Sequence, residues 1–358
     1  MGELCAPGEG GGRTAPRECP PGDNGAVFKL LGWVVTLALV AAAALTLDPA
    51  RLGLSTRLPV TQAIAMRPYL VAGFVVLGGV LLLGVLLAAL RGRRRPRGAV
   101  LALAFLAVGL GHGLVLWDRG LADDPLPQAP AGAVTVFTLN TLGGGATPQQ
   151  VAAAALGTGA DVLALPETSA ASARLVAEEM TASTGTPFQV FARQTGKWES
   201  SSTALLVSAD LGEYAEVDPP ATSHGAVRAE PVDGEGPTFL AVHPISPHAP
   251  GRAMERWRAD LHAVTEACRS ESDVIVAGDF NATLDHEPMR DIGTCVDAST
   301  EGGVGGLATW PAHLPRLVGA HIDHILLDRD RYVVDAAAVL DVGDSDHRAV
   351  VAQLSPAP

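Results

Sequence analysis

Six polar stations in the second half of the chain carry carboxylates, amides and imidazoles that could serve metal-assisted hydrolysis, of a phosphoester for example. They are Asn140, Glu167, His243, Asp279 with Asn281, Asp323, and Asp346 with His347. Such a reaction needs a cation to neutralise phosphoryl oxygens, an activated water and help for the leaving oxygen. Carboxylates and amides are hard ligands that suit Mg²⁺ or Mn²⁺, and no thiolate stands among the stations. Asp279 and Asn281 lie two apart, so in extended chain their side chains face the same way. Asp346 and His347 are adjacent and point apart, so Asp346 is a poor partner for orienting that imidazole.

The stations fall at the ends of apolar runs. Val134 to Asn140 alternates and is rich in β-formers, and Asp161 to Pro166 reads as a second strand. Further strands are expected at Thr203–Ser208, Ala226–Pro231, Thr238–His243, Asp273–Ala277, Ile322–Leu327, Tyr332–Leu340 and Ala349–Leu354. Helices are expected at Pro148–Leu156 and Ser169–Met180, and at Arg252–Cys268, where Met254, Trp257, Leu261 and Val264 recur at helical spacing. Strands and helices interleave, so the class is α/β or α+β with packed sheets and outer helices. One Asp or Asn at a strand end is ordinary turn chemistry. Six such stations in succession point instead to one functional rim.

In order, Asn140, Pro166-Glu167, His243-Pro244, Gly278-Asp279-Phe280-Asn281, Ile322-Asp323-His324-Ile325 and Ser345-Asp346-His347-Arg348 resemble the motif set of the endonuclease/exonuclease/phosphatase superfamily. These are deoxyribonuclease-like, metal-dependent phosphoesterases, and the resemblance covers residues 131–358. It implies a four-layer α/β sandwich, two packed β-sheets flanked by helices, in a membrane-anchored bacterial member. It also implies roles. Glu167 would be the principal metal ligand, assisted by Asn140 and Asp346. Asp279 would position or deprotonate water and Asn281 would bond a phosphate oxygen. Asp323 would orient His347, the general acid or base, and His243 would contact the phosphoryl group from the other side. His324, next to Asp323, should face the other side of its strand, into packing or onto the surface, and away from catalysis. Arg228 and Arg252 could meet phosphate or form structural ion pairs, and Trp198 and Trp310 could stack on substrate or cap the core.

The first third of the chain is of another kind. Residues 1–27 are rich in Gly, Pro and charge and read as a disordered tail. Three almost uncharged runs follow at about 28–47, 69–90 and 98–117, each long enough to cross a bilayer as a helix. Two more spans after the first favour an uncleaved anchor over a signal peptide. The cluster Arg91-Gly-Arg-Arg-Arg-Pro-Arg97 should stay cytoplasmic. The N-terminus would then be cytoplasmic and the catalytic domain, residues 134–355 beyond a linker at 118–133, would face outward from the cell membrane. His112 is the one ionisable side chain in the third span.

From Ala131 onward, 13 Lys and Arg face 30 Asp and Glu. A surface of that sign repels nucleic acid and argues against tight, processive binding to it. With four cysteines and no C-x-x-C pair a zinc ribbon is excluded, and Cys268 with Cys295 is open either to bridging or to two buried thiols. The expected partner is a phosphoester, whether lipid headgroup, nucleic acid or phosphorylated metabolite, alongside the lipid bilayer itself. Two alternatives are an extracytoplasmic nuclease of the same superfamily and a catalytically inactive binding or sensor domain.

Overall fold

The computed structural model describes residues 24–358; the tail expected at 1–27 lies outside these residues up to 23. Three long helices come first: α1 (Asn24–Leu45), α3 (Arg67–Leu90) and α4 (Pro96–Asp118), with short α2 (Val60–Ala65) between the first two. At 1.5 Å per residue, 22 to 24 residues rise about 33–36 Å, enough to span a hydrocarbon core. They are long and apolar enough to cross a membrane. Gly78 meets Leu106 and Gly109 meets Val75 where a Cβ would crowd the opposing helix. Small residues of this kind let apolar helices approach closely.

The rest is a two-sheet sandwich. Strands β1 (Val134–Thr138), β2 (Val162–Pro166), β3 (Phe188–Gln194), β4 (Ser202–Ser208), β11 (Tyr332–Asp341) and β12 (Arg348–Pro356) form one sheet in the order β11-β12-β1-β2-β4-β3. The second holds β5 (Tyr214–Val217), β6 (Ala226–Pro231), β7 (Thr238–Val242), β8 (Val274–Asp279), β9 (Cys295–Asp297) and β10 (Asp323–Asp328) in the order β5-β6-β7-β8-β10-β9. Each sheet has one parallel pair at its middle, β1 with β2 and β7 with β8. The other pairings are antiparallel.

Val136, Val162, Leu205, Phe239, Ile275 and Ile325 fill the space between the sheets. Helices α5 (Pro148–Thr158) and α6 (Ala170–Thr184) cover the outer face of the first sheet, and α7 (Arg252–Ser270) covers the second. This is the four-layer α/β sandwich that the motifs imply. Central strands buried on both faces are nearly all apolar, as Val274-Ile-Val-Ala in β8 shows. Along α7, Met254, Trp257, Leu261, Val264 and Cys268 are buried on one stripe. Cys268 is bridged to Cys295, with Cα atoms 5.5 Å apart, which ties α7 to strand β9.

The anchor and the sandwich are joined by more than a tether. Asp285 pairs with Arg67, at the start of α3, at 2.5 Å and with Arg119, just after α4, at 2.7 Å. The Arg67 guanidinium also lies 2.7 Å from His112 Nδ1. Removing one partner from so buried a cluster costs about 3–5 kcal/mol, because it leaves a charge uncompensated. Ser55 accepts the Glu287 backbone N–H, and His286 Nε2 meets the Thr61 carbonyl at 3.2 Å. The stretch expected as a linker begins inside α4 and then packs: Gly305 and Gly306 donate to the carbonyls of Arg119 and Gly120.

Candidate functional site

Parallel neighbours in a sheet end side by side, so their carboxyl-end loops converge. Asn140 follows β1 and Glu167 follows β2; His243 follows β7 and Asp279 closes β8. Strand β10 begins at Asp323, directly opposite Asp279 in the register, and His347 immediately precedes β12 beside the end of β1. All eight residues singled out in the sequence therefore reach one rim, where the two sheets meet.

The contacts among them are short. Asn140 Nδ2 donates to Glu167 Oε1 and to Asp279 Oδ2, each at 3.1 Å, and its side-chain Oδ1 accepts from the Leu142 N–H at 3.0 Å. His347 Nδ1 lies 2.9 Å from Asp323 Oδ2, and its Nε2 lies 3.8 Å from Asp279 Oδ2. Asp279 also accepts the Asn281 backbone N–H at 2.8 Å, while His243 Nε2 approaches it at 3.6 Å. Asn281 Nδ2 donates to the Pro244 carbonyl at 3.0 Å, which links the loops after β7 and β8. Asp346 accepts from Trp310 Nε1 through Oδ2 at 3.1 Å, and its buried Oδ1 has no hydrogen-bond partner among the described residues.

Local backbone geometry fixes these positions. Glu167 and Asn281 both adopt positive φ, +55° and +49°, a conformation that non-glycine residues take at a cost and that clusters at functional sites. Glu167 is held there by its N–H to the Ser202 carbonyl and by Thr141 Oγ1 on its own carbonyl. Trp257 of α7 donates its indole N–H to the Asn281 carbonyl at 3.0 Å. Gly278 is obligatory: with φ +154° its Cβ would collide with the Val242 carbonyl, so only glycine lets β7 and β8 approach at the rim.

Charge is concentrated and buried. Burial pushes Asp279 up to about 7, against the pull of the His347 charge. Burial alone would lower His347, but the carboxylates of Asp323 and Asp279 outweigh it and raise it to about 10. Burial also raises Glu167, and the Asp346 charge adds to that. His243 is held neutral by burial, reinforced by the nearby His224 and His347.

Two groups of buried acids and imidazoles could hold an ion: Asp279, Asp323 and His347, and Asp297, His321 and His324. In the first, Asp323 already gives both oxygens to His347 Nδ1, at 2.9 and 3.2 Å. In the second, His324 Nδ1 lies 2.9 Å from Asp297 and its Nε2 3.0 Å from the Ala282 carbonyl. Packing, not the rim, is thus the place of His324. The partnerless Asp346 Oδ1 and the Glu167 carboxylate fit a hard cation better. Asn140 turns its amide nitrogen toward the carboxylates, an arrangement suited to orienting Glu167 and unlike that of an oxygen ligand.

Sequence reading missed three supports of the rim. His224 packs edge-on against His243, with ring centroids 4.7 Å apart. Thr309 Oγ1 accepts the backbone N–H groups of Ile322 and Asp323. Asp260 of α7 accepts from Ser223 and Ile245, steadying the loop after β7. Only Asp260 carried a signal, as an acid on the buried stripe of α7. Arg228 forms ion pairs with Glu230 and Glu271, remote from the rim in sequence and bonding. Trp198 is exposed and Trp310 bonds Asp346.

Fold and rim together define a class: two stacked mixed sheets that carry carboxylates, imidazoles and amides at the ends of their central strands. The model of the Endonuclease/Exonuclease/phosphatase family matches residues 137–347, and the chain belongs to that family. Its enzymes are hydrolytic phosphoesterases that use divalent metals. No curated protein matches the chain. Among solved structures it is similar to an endonuclease/exonuclease/phosphatase from Beutenbergia cavernae (18% identity, 63% of this chain and 72% of that one, TM-score 0.47). It is also similar to the human Nocturnin catalytic domain (16%, 63% and 94%, TM-score 0.45). A third is the mannosyl-6-phosphatase of Bacteroides thetaiotaomicron (17%, 62% and 99%, TM-score 0.44).

Proposed function

We propose that this chain is a membrane-anchored, divalent-metal-dependent phosphoester hydrolase whose catalytic domain works outside the cytoplasm. The observation that carries the reading is Asp346 Oδ1, a buried carboxylate oxygen without a partner, whose charge is felt at Glu167. Glu167 and Asp346 would hold Mg²⁺ or Mn²⁺, and Asn140 would orient Glu167 through its amide. The bound cation would offset negative charge on the phosphoryl oxygens. Asp279, already the acceptor of three amide donors from Asn140 and Asn281, would take the proton of the attacking water. Asn281 and His243 would bond phosphoryl oxygens from opposite sides. His347, oriented by Asp323, would give its Nε2 proton to the leaving oxygen. The balance is one water consumed: a bond forms from its oxygen to phosphorus, the ester P–O bond breaks, and the leaving oxygen gains a proton.

Two features support an outward-facing domain. The arginine cluster at 91–97 lies in the α3–α4 loop, at the opposite ends of those helices from the sandwich. The Cys268–Cys295 bridge is the kind of cross-link that persists in oxidising compartments.

The full chain in detergent or vesicles should hydrolyse a simple aryl phosphodiester or phosphomonoester, lose turnover on chelation and regain it with Mg²⁺ or Mn²⁺. Asp346→Asn should raise the metal concentration needed for half-maximal rate by about tenfold or more. Turnover indifferent to chelation would contradict the reading.

A further inference from the structure

A cavity of about 450 Å³ opens directly beside the rim, a size typical of sites for small organic ligands. One wall is the site itself, with Asn281, His347 and Trp310. The opposite wall comes from the anchor: Ala65, the last residue of α2, and Met66. Arg67, the next residue, begins the membrane-spanning α3. Ala320 and Ile322 add apolar surface, which makes up most of the exposed lining, and Gln62, Ser246, His248 and His286 place polar groups among it. The cavity therefore runs from the groups that would meet a phosphate toward the point where the chain enters the membrane.

The placement is not an accident of a loose tether. The anchor wall is fastened by the Thr61–His286 contact, by Gln62 Nε2 donating to the Pro247 carbonyl at 2.5 Å, and by the buried Arg67–Asp285 pair. A sugar or polyol phosphate presents chiefly polar surface beyond its phosphate and would leave an apolar wall wetted, and an aryl or short-chain ester would cover only part of it. An acyl or isoprenoid chain would remove that wall from water, at about 25 cal/mol per Å² of apolar surface. The acidic sandwich also disfavours a polyanion, whereas one phosphate group is a charge a single cation can offset.

We propose that this cavity receives the apolar part of an amphiphilic phosphoester resident in the membrane, so that the substrate class is a lipid phosphate. The inference rests on the hydrolase reading above and adds to it the identity of what is hydrolysed. Ala65 and Met66 act here as specificity-determining residues contributed by the anchor, and the docked membrane segment completes the substrate site.

The test uses the full chain in phosphatidylcholine vesicles. Phosphatidic acid and phosphatidylglycerol are each offered on dioleoyl chains and, in solution, on dibutyryl chains, alongside an aryl phosphoester and single-stranded DNA. The expected result is a preference for one dioleoyl headgroup over its dibutyryl form, and a fall in that preference of about tenfold in both Ala65→Phe and Met66→Glu. A ratio of two rates is unaffected by the fraction of a variant that folds. A preference that neither variant moves, indifference to chain length, or faster turnover of DNA would each overturn the inference. Turnover of only the soluble esters would remove the lipid assignment and leave the hydrolase standing. Silence toward every phosphoester in the presence of metal would remove both.

Discussion

Glu167 combines three features that seldom coincide outside a working site: a positive φ, a partly buried carboxylate, and a second acid close enough to raise it further. Each is unfavourable for folding, so a residue kept there for chemistry should be one the fold is better without. Glu167→Gln keeps the shape and removes the charge. In metal-free protein it should raise stability by about 1 kcal/mol, while metal-dependent turnover falls by about a hundredfold or more. Calorimetric melting beside a rate assay checks both, and a variant that is active and less stable would contradict the assignment. A different behaviour is expected of the buried Asp297–His324 pair, which stands apart from the rim. Burial would raise Asp297, but the His324 charge prevails and holds it near 2; burial would lower His324, but Asp297 raises it above 6.5. The depressed acid contributes stability above 3.8 that is lost as pH falls toward 2. The raised imidazole contributes stability below 6.5 that is lost as pH rises through its folded value. The melting-temperature gap between wild type and His324→Gln should thus be widest between 3.8 and 6.5 and should narrow in alkali. A gap that widens with pH would refute the pairing.

At the scale of elements, the sandwich was legible wherever burial imposed a pattern. The central strands β2, β4, β7, β8, β10 and β12 each carry an apolar run, β1 alternates apolar residues with threonine, and α7 repeats its apolar residues at helical spacing. Strands β3, β5 and β9 escaped notice, and all three lie at sheet edges. An edge strand is half exposed and need not be apolar: Phe188-Gln-Val-Phe-Ala-Arg-Gln mixes both kinds, and β9 is only three residues long. The residues of the rim were legible because six polar stations stood at the ends of apolar runs. Their supports were not, since Thr309 and His224 act through contacts that only the folded chain creates. The choice of Asp323 over Asp346 as partner of His347 followed from the adjacency of Asp346 and from the motif set, and the structure places Asp323 Oδ2 2.9 Å from His347 Nδ1. The Cys268–Cys295 bridge closes a loop with sequence separation 27, and it ties β9, the weakest edge, to α7. On chain-entropy grounds its reduction should cost about 3–4 kcal/mol. Denaturant midpoints with and without reductant measure that loss, and unchanged midpoints would show that the cross-link constrains nothing.

The whole molecule is organised around one junction. Arg67, Arg119 and Asp285 bind the ends of two helices long and apolar enough to cross a membrane to the loop after β8, and that same strand end carries Asp279 and Asn281. Sequence patterning gave the three spans to within a few residues, because twenty apolar positions leave little choice. It gave no hint that the segments between and after them dock onto the sandwich, since Arg67 and Arg119 look like ordinary flanking charges until Asp285 is seen between them. The consequence is a rim held against the ends of the apolar helices rather than swinging on a linker. The central claim is that this rim hydrolyses phosphoesters with a bound divalent cation. The most direct test is the rate of aryl phosphoester hydrolysis by the full chain with saturating Mg²⁺ or Mn²⁺, for wild type, Asp279→Ala and His347→Ala. Wild type should turn over, with a loss of about a hundredfold or more in each folded variant. Variants as fast as wild type, or a folded, metal-supplied wild type without activity on any phosphoester, would contradict that claim.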